Sequence, residues 1–388
     1  MLTALRLAGL LAVAWLGREA CRRLRLPGPV GLTLSGAALA LGGLSPQTWL
    51  PHGGLYTILL PPLVFEAAIL LDLTVLWPDR WLLFTLAVPG VAFTMALIGG
   101  VLWRGFGWTP EAAFLFGALI SATDPVAVIA LFRTLRVAPR LAQLIEAESL
   151  FNDATAAILF TLALAVVAGA RPGLAALPPR IAVTLGASLL VGLGLGCVAS
   201  HLPRRLWRGA GFPLSLVLAY AVFLGAQALH GSGVLASLLA GGWLARAGIP
   251  AANPRLRRLW DKTGALANAA IFLILGGLVA AHWRLAADPA GWLAMAVTLL
   301  ARAMLVYPVC AIAARMGESL SRAAGHVLVW GGMRGALALS LALAVPSNLP
   351  GRDATLSATL VAVLFSVFGQ GLSLGRLVRR HLAPPLLP

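Results

Sequence analysis

Apolar residues run through the chain in long stretches, broken by short clusters rich in arginine, proline and glycine. A membrane-spanning helix needs roughly 20 mostly apolar residues, because each residue advances about 1.5 Å through a hydrocarbon core about 30 Å thick. Thirteen such stretches are predicted, near 2–17, 29–45, 55–71, 81–103, 110–132, 141–169, 174–200, 212–229, 232–248, 262–281, 289–314, 326–345 and 355–375. The break between 212–229 and 232–248 is so short that the two also read as one. Leu2–Leu16 has the length of a signal peptide's apolar region, and Ala12-Val13-Ala14 has the shape of a cleavage site. Its arginines (Arg18, Arg22, Arg23, Arg25) follow the run instead of preceding it, which favours a first span.

Composition agrees with this pattern. The 388 residues are 60% hydrophobic and 11% charged, against about 25% charged in soluble domains. With a mean hydropathy of +0.91, the chain has too little polar surface to cover a soluble core. Cys21, Cys197 and Cys310 are scattered without metal-ligand spacing, so neither a disulfide framework nor structural zinc is expected. The longest polar break is about 15 residues, too short for a soluble regulatory domain.

A net charge of +16 points, in a soluble protein, toward nucleic acid. Here membrane topology accounts for it instead. With the C-terminus and every second loop before it on one side, 21 of the 29 basic residues share that side. Arg104, Arg171, Arg180, Arg284 and Arg352 lie opposite, and Arg6, Arg302 and Arg334 fall inside spans. Positive loops stay cytoplasmic, so the N-terminus is expected outside and the C-terminus inside, with no nucleic-acid partner. Trp49, Trp77, Trp81, Trp103, Trp108, Trp207, Trp260 and Trp283 fall near span ends, where an interfacial belt is expected.

Ionisable groups at membrane depth are costly and mark function. Glu66, Asp124, Glu146, Glu148 and Asp153 remain inside spans, with Arg302 and Arg334. The sixth span carries EAESLFND at 146–153. Ser149 and Asp153 are i, i+4, as are Glu148 and Asn152, so Ser149, Asn152 and Asp153 share one helical stripe. Their oxygens suit a hard cation; the competing reading is that these acids are ion-paired glue. In the fifth span, SATDPV places Pro125 after Thr123-Asp124. Proline removes a donor and pushes its predecessor out of the α region, so the helix should break there and free carbonyls, unless the proline only kinks it. Gly331-Gly332-Met333-Arg334-Gly335 interrupts the twelfth span. The two breaks are seven spans apart, which reverses orientation. Two inverted six-helix repeats, about 1–169 and 212–380 with a linker helix at about 174–200, are therefore predicted, and paired broken helices mark a transporter's binding site. Asp124 and Arg334 would offset the helix ends at the breaks. Glu66 is either an ion ligand or a partner for a buried cation, and Arg302 needs a carboxylate, for which Glu148 is the candidate.

SATDPVAV (121–128), EAESLFND (146–153), LARAMLVY (300–307), WGGMRGALAL (330–339) and LPPLVFEAAI (60–69) together resemble the sodium/proton antiporters of the cation:proton antiporter 1 family. That family includes prokaryotic NhaP antiporters and animal sodium/hydrogen exchangers, and the likeness runs from about residue 30 to 375. It implies that Asp153 is the alternating cation and proton carrier with Asn152 beside it, and that Thr123 and Asp124 form the unwound crossing. It further implies that Ser149 and Glu66 help coordinate Na+, that Glu148 and Arg302 form a buried pair, and that Arg334 belongs to the second crossing. Ala147 departs from the glycine common in relatives, and the cytoplasmic extension of the animal exchangers is missing. A homodimer is implied by resemblance alone.

The fold expected is therefore an all-α polytopic membrane protein of about 13 helices with unwound crossings in spans 5 and 12. The expected activity is exchange of Na+, or Li+, for H+ across a bacterial or archaeal cell membrane, with no resident cofactor and no enzymatic chemistry. Na+ would sit at Asp153, Ser149, Glu66 and Thr123. One carboxylate taking either ion gives antiport, and Asn152 in place of a second aspartate favours electroneutral 1:1 exchange. K+/H+ exchange on the same scaffold is the main alternative. A cation channel, an organic-anion symporter using Arg334 and an intramembrane protease are the rivals from other classes.

Overall fold

The computed structural model describes residues 2–23, 27–44, 55–71, 77–125, 128–129, 131–132, 139–167, 177–315, 322–346, 348–349 and 351–381. Most of these are helical, with no strand among the described residues. Trp49, Arg25 and Arg171, named in the topology reading, lie outside them.

The helices are α1 (Leu2–Arg23), α2 (Gly28–Leu41), α3 (Leu60–Leu70, entered through a π turn at Leu55–Leu59), α4 (Arg80–Ala87) and α5 (Pro89–Phe106). There follow α6 (Pro110–Ile120), α7 (Pro139–Val167), α8 (Leu177–Ser200), α9 (Arg204–Ala228), α10 (Gly233–Arg246) and α11 (Pro254–Ala281). The chain ends with the short α12 (Trp283–Ala286), α13 (Pro289–Arg315), α14 (Arg322–Gly331), α15 (Ala336–Ala344), α16 (Arg352–Leu364) and, after a π segment at Phe365–Gln370, α17 (Gly371–His381). Among the described residues, eight helical stretches are long and apolar enough to cross a membrane, and four more apolar helices are shorter. With α1 these fill the thirteen predicted spans, and a turn at Leu229–Gly231 separates α9 from α10.

Two spans start earlier than the apolar pattern indicates. Residues 204–211 and 254–261 carry arginines and so fall outside an apolar window, yet they form the first two turns of α9 and α11. Trp207 and Trp260 sit on these turns and are 4% and 0% exposed. Their indole nitrogens donate to the Ala199 carbonyl (3.1 Å) and the Ser215 hydroxyl (2.8 Å). They therefore anchor helix ends to each other and are not part of an interfacial belt, whereas Trp81, Trp103 and Trp283 are exposed as expected.

The helices sort into two groups by contact. In one, α1–α3 pack with α8–α11; in the other, α4–α7 pack with α13–α17. The first group is drawn tight at the α2–α11 crossing. A Cβ on Gly36 would lie 1.9 Å from the Leu273 carbonyl oxygen, and one on Gly276 equally close to that of Thr33. Only hydrogen side chains permit this backbone contact, the small-residue packing of membrane helices. The architecture is that of two inverted six-helix repeats, with the fifth and twelfth spans broken where they meet.

Candidate functional site

The crossing is built from two helix ends that exchange partners. The fifth span's helix α6 ends at Ile120, ahead of Pro125, and residues 122–125 are non-helical. Glycines open the twelfth span between α14 and α15. The Asp124 amide donates to the Met333 carbonyl at 2.7 Å, joining the two strands of the crossing. Arg334, 3% exposed, donates through Nη1 to the carbonyls of Ile120 and Ala122, the latter at 3.1 Å. Asp124 Oδ2 accepts from the Ala336 amide at 3.4 Å, at the start of α15. Each break thus supplies the charge that the other's half-helix needs: a cation at the carbonyl end, a carboxylate at the amide end. Gly335 is required by this arrangement, since a Cβ there would lie 1.9 Å from Asp124 Oδ2. The remaining free ends are held by the last span. The Arg334 amide donates to Ser366 Oγ (2.9 Å), and Gln370 Nε2 donates to the Trp330 carbonyl (2.9 Å).

Behind the crossing, α7 places Glu148, Ser149 and Asn152. Glu148 and Arg302 form a two-pronged ion pair, Nη1 to Oε1 at 2.6 Å and Nη2 to Oε2 at 3.0 Å. Arg302 also donates to the Leu328 carbonyl (3.3 Å) and Asn152 Nδ2 to Glu148 Oε1 (2.6 Å). Asn152 reaches Thr123 Oγ1 as well (3.3 Å), and Ser149 donates to the Thr123 carbonyl, with the two hydroxyls 3.0 Å apart. Gly332 passes directly over this pair: a Cβ there would meet Arg302 Nε at 2.7 Å.

Between the two helix groups lies a cavity of about 470 Å³. Asp153, Thr123, Asp124 and Glu146 line it from the crossing side, and Glu66, Asn268 and Asp261 from α3 and α11. Its mouth lies where Arg18 and Asp261, both exposed, line the wall. Asp153 Oδ1 is buried without a hydrogen-bond partner. Of the residues expected from sequence, Asp153, Thr123, Asp124 and Glu66 thus share one cavity. Ser149, Asn152, Glu148, Arg302 and Arg334 do not line it; they form the layer beneath, with Ser149 and Asn152 turned toward Thr123. The lining also contains Asn268, absent from the sequence-derived set because neither a charged neighbour nor a helix-breaking residue flags it in its apolar stretch.

A cavity at a pair of broken helices in inverted repeats is a transporter's site, and comparison with known proteins names the family. Residues 8–380 match the profile described as sodium/hydrogen exchanger, transmembrane. The chain belongs to the sodium/hydrogen exchanger family. It is 33% identical over 352 residues to the Na(+)/H(+) antiporter NhaP of Pseudomonas aeruginosa, spanning 84% of this chain and 80% of that one. To the Na(+)/H(+) antiporter NhaH of Halobacillus aidingensis it is 30% identical over 401 residues, covering 96% of both. Its fold matches the solved structure of the sodium proton antiporter MjNhaP1 from Methanocaldococcus jannaschii with a TM-score of 0.80. That match covers 96% of this chain and all of the other at 20% identity. Members of this family are transporters, which sets aside the intramembrane protease among the rival readings.

Proposed function

We propose that the chain exchanges Na+ for H+ across the cell membrane by alternating access, with Asp153 as the shared carrier. The observation that carries this reading is the Asp153 carboxylate, lining the cavity beside the crossing, with Oδ1 buried and unpartnered. A deprotonated Asp153 attracts a partly hydrated cation, and Thr123, Asp124 and Glu66 supply further oxygens from the same cavity. Protonation removes the charge and releases the ion. The charged, empty site crosses poorly, since an isolated carboxylate is costly to desolvate, so movement is coupled to loading. Ser149 supports the site through the Thr123 carbonyl and joins the ion's shell only if the crossing shifts.

With one titrating carrier beside Asn152, the exchange is electroneutral, one Na+ for one H+. The mouth near Arg18 and Asp261 faces the side that holds 21 of 29 basic residues, so the structure is inward-open with the N-terminus outside. Residues 1–169 and 212–380 act as the inverted repeats, and the chain works as a homodimer. The test is purified protein in proteoliposomes, with internal pH followed as Na+, Li+ or K+ is added. Na+-driven proton movement that disappears in Asp153→Asn is the expected result. Normal exchange by that variant overturns the site, a response to K+ alone overturns the ion, and rates that follow an imposed voltage overturn electroneutrality.

A further inference from the structure

Asn268 is the single polar side chain between Gly264 and Ala281, a stretch otherwise of glycine, alanine and large apolar residues. It is 7% exposed, lines the cavity and has an Oδ1 with no hydrogen-bond partner. A buried amide oxygen without a donor is uncommon and costly, so its place in a span calls for a partner that the protein itself does not provide. One helical turn earlier, Gly264 lies so close to Glu66 that a Cβ there would be 2.6 Å from Oε2. The same face of α11 thus meets the Glu66 carboxylate and presents Asn268. Lining acids outnumber lining bases five to one: Glu66, Asp124, Glu146, Asp153 and Asp261 against Arg18. The missing partner is therefore a cation or its hydration water.

We propose that Asn268 is a ligand of the transported cation, offering its side-chain carbonyl oxygen from the helix group opposite Asp153. No donor holds that oxygen in the wall, and a half-turn about Cβ–Cγ exchanges the two ends of the amide at little steric cost. The cavity has room for roughly a dozen or more waters, so the ion arrives hydrated and Asn268 replaces or orients one water of its shell. Because α11 belongs to one helix group and Asp153 to the other, the ligand is present only while this side is open. Asn268 then raises affinity on the open side and is left behind when the crossing moves.

This inference rests on the exchange reading above, and its test separates the two. In proteoliposomes, Asn268→Ala is expected to raise the Na+ concentration for half-maximal exchange about tenfold, the effect of one lost ion–dipole contact. Asn268→Asp, which restores an oxygen, is expected to keep that concentration within twofold of wild type or lower it. Na+-induced thermal stabilisation of the detergent-purified protein should shrink in Asn268→Ala and return in Asn268→Asp. Unchanged half-saturation in Asn268→Ala, or equal losses of maximal rate in both variants at unchanged half-saturation, overturns the ligand role while leaving exchange by Asp153 intact. Wild-type liposomes without Na+-driven proton movement overturn the exchange reading and this inference with it.

Discussion

Cutting the Glu148–Arg302 pair from either side is expected to destabilise the chain by about 3–5 kcal/mol, the cost of leaving a buried charge uncompensated. Glu148 is 2% exposed and takes three donors: two guanidinium nitrogens of Arg302 and the Asn152 amide. Arg302→Ala leaves only the amide. Glu148→Ala leaves a guanidinium with the Leu328 carbonyl and an Nε that already lacks a partner. At roughly 1.2 °C per kcal/mol for a chain of 388 residues, each single substitution lowers the melting midpoint by about 4–6 °C. The assay is size-exclusion recovery of detergent-purified protein after heating, for both singles, the Ala/Ala double and the charge swap. The swap should regain most of the loss through one local change: the Asn152 amide turns over. Its Oδ1 has no partner, so it can accept from an arginine at 148 where Nδ2 now donates to a carboxylate. Single variants within about 1 kcal/mol of wild type, or losses that simply add in the double, would show that the two charges are not coupled.

Three further outcomes are expected. Gly335→Ala forces Asp124 away from the start of α15, so exchange should fall at least about tenfold in liposomes while the protein still elutes as a folded species. Gly264→Ala presses on the mobile end of Glu66, so folding is expected to be normal and half-saturation by Na+ raised, measured beside Glu66→Gln. Where Asp153 is mostly protonated, each unit of falling pH leaves about a tenth of the carriers competent, so half-saturation by Na+ should rise about tenfold at unchanged maximal rate. A maximal rate that falls with pH while half-saturation stays fixed would place the proton elsewhere.

The spans were legible because apolar length is nearly all that a bilayer demands. The two that were misjudged, α9 and α11, begin with arginine-bearing turns that continue a helix beyond the hydrocarbon, a matter of hydrogen bonding and not of hydropathy. The breaks were legible from Pro125 and from three nearby glycines, Gly331, Gly332 and Gly335. That each break caps the other's half-helix was not, since it depends on how distant segments cross. Charge at membrane depth singled out Asp153, Glu148, Arg302 and Arg334 but passed over Asn268, whose cost is that of an uncharged amide. Helical spacing put Ser149, Asn152 and Asp153 on one stripe. It could not say that the cavity meets only the Asp153 edge of that stripe, because helix rotation is set by packing. The π segments at 55–59 and 365–370 left no signal in the pattern.

The hold that Ser366 and Gln370 have on the broken span also bears on assembly. Residues 331–335 leave the ribosome some thirty residues before the side chains that satisfy them. Until α16 has entered the membrane, the Arg334 amide and the Trp330 carbonyl lack these partners in a medium that offers little water. The transport site is thus completed only near the end of synthesis, after residues 366 and 370 have been added. A chain released before Ser366 would contain Asp153, Glu148 and Arg302 and still be unable to close its crossing.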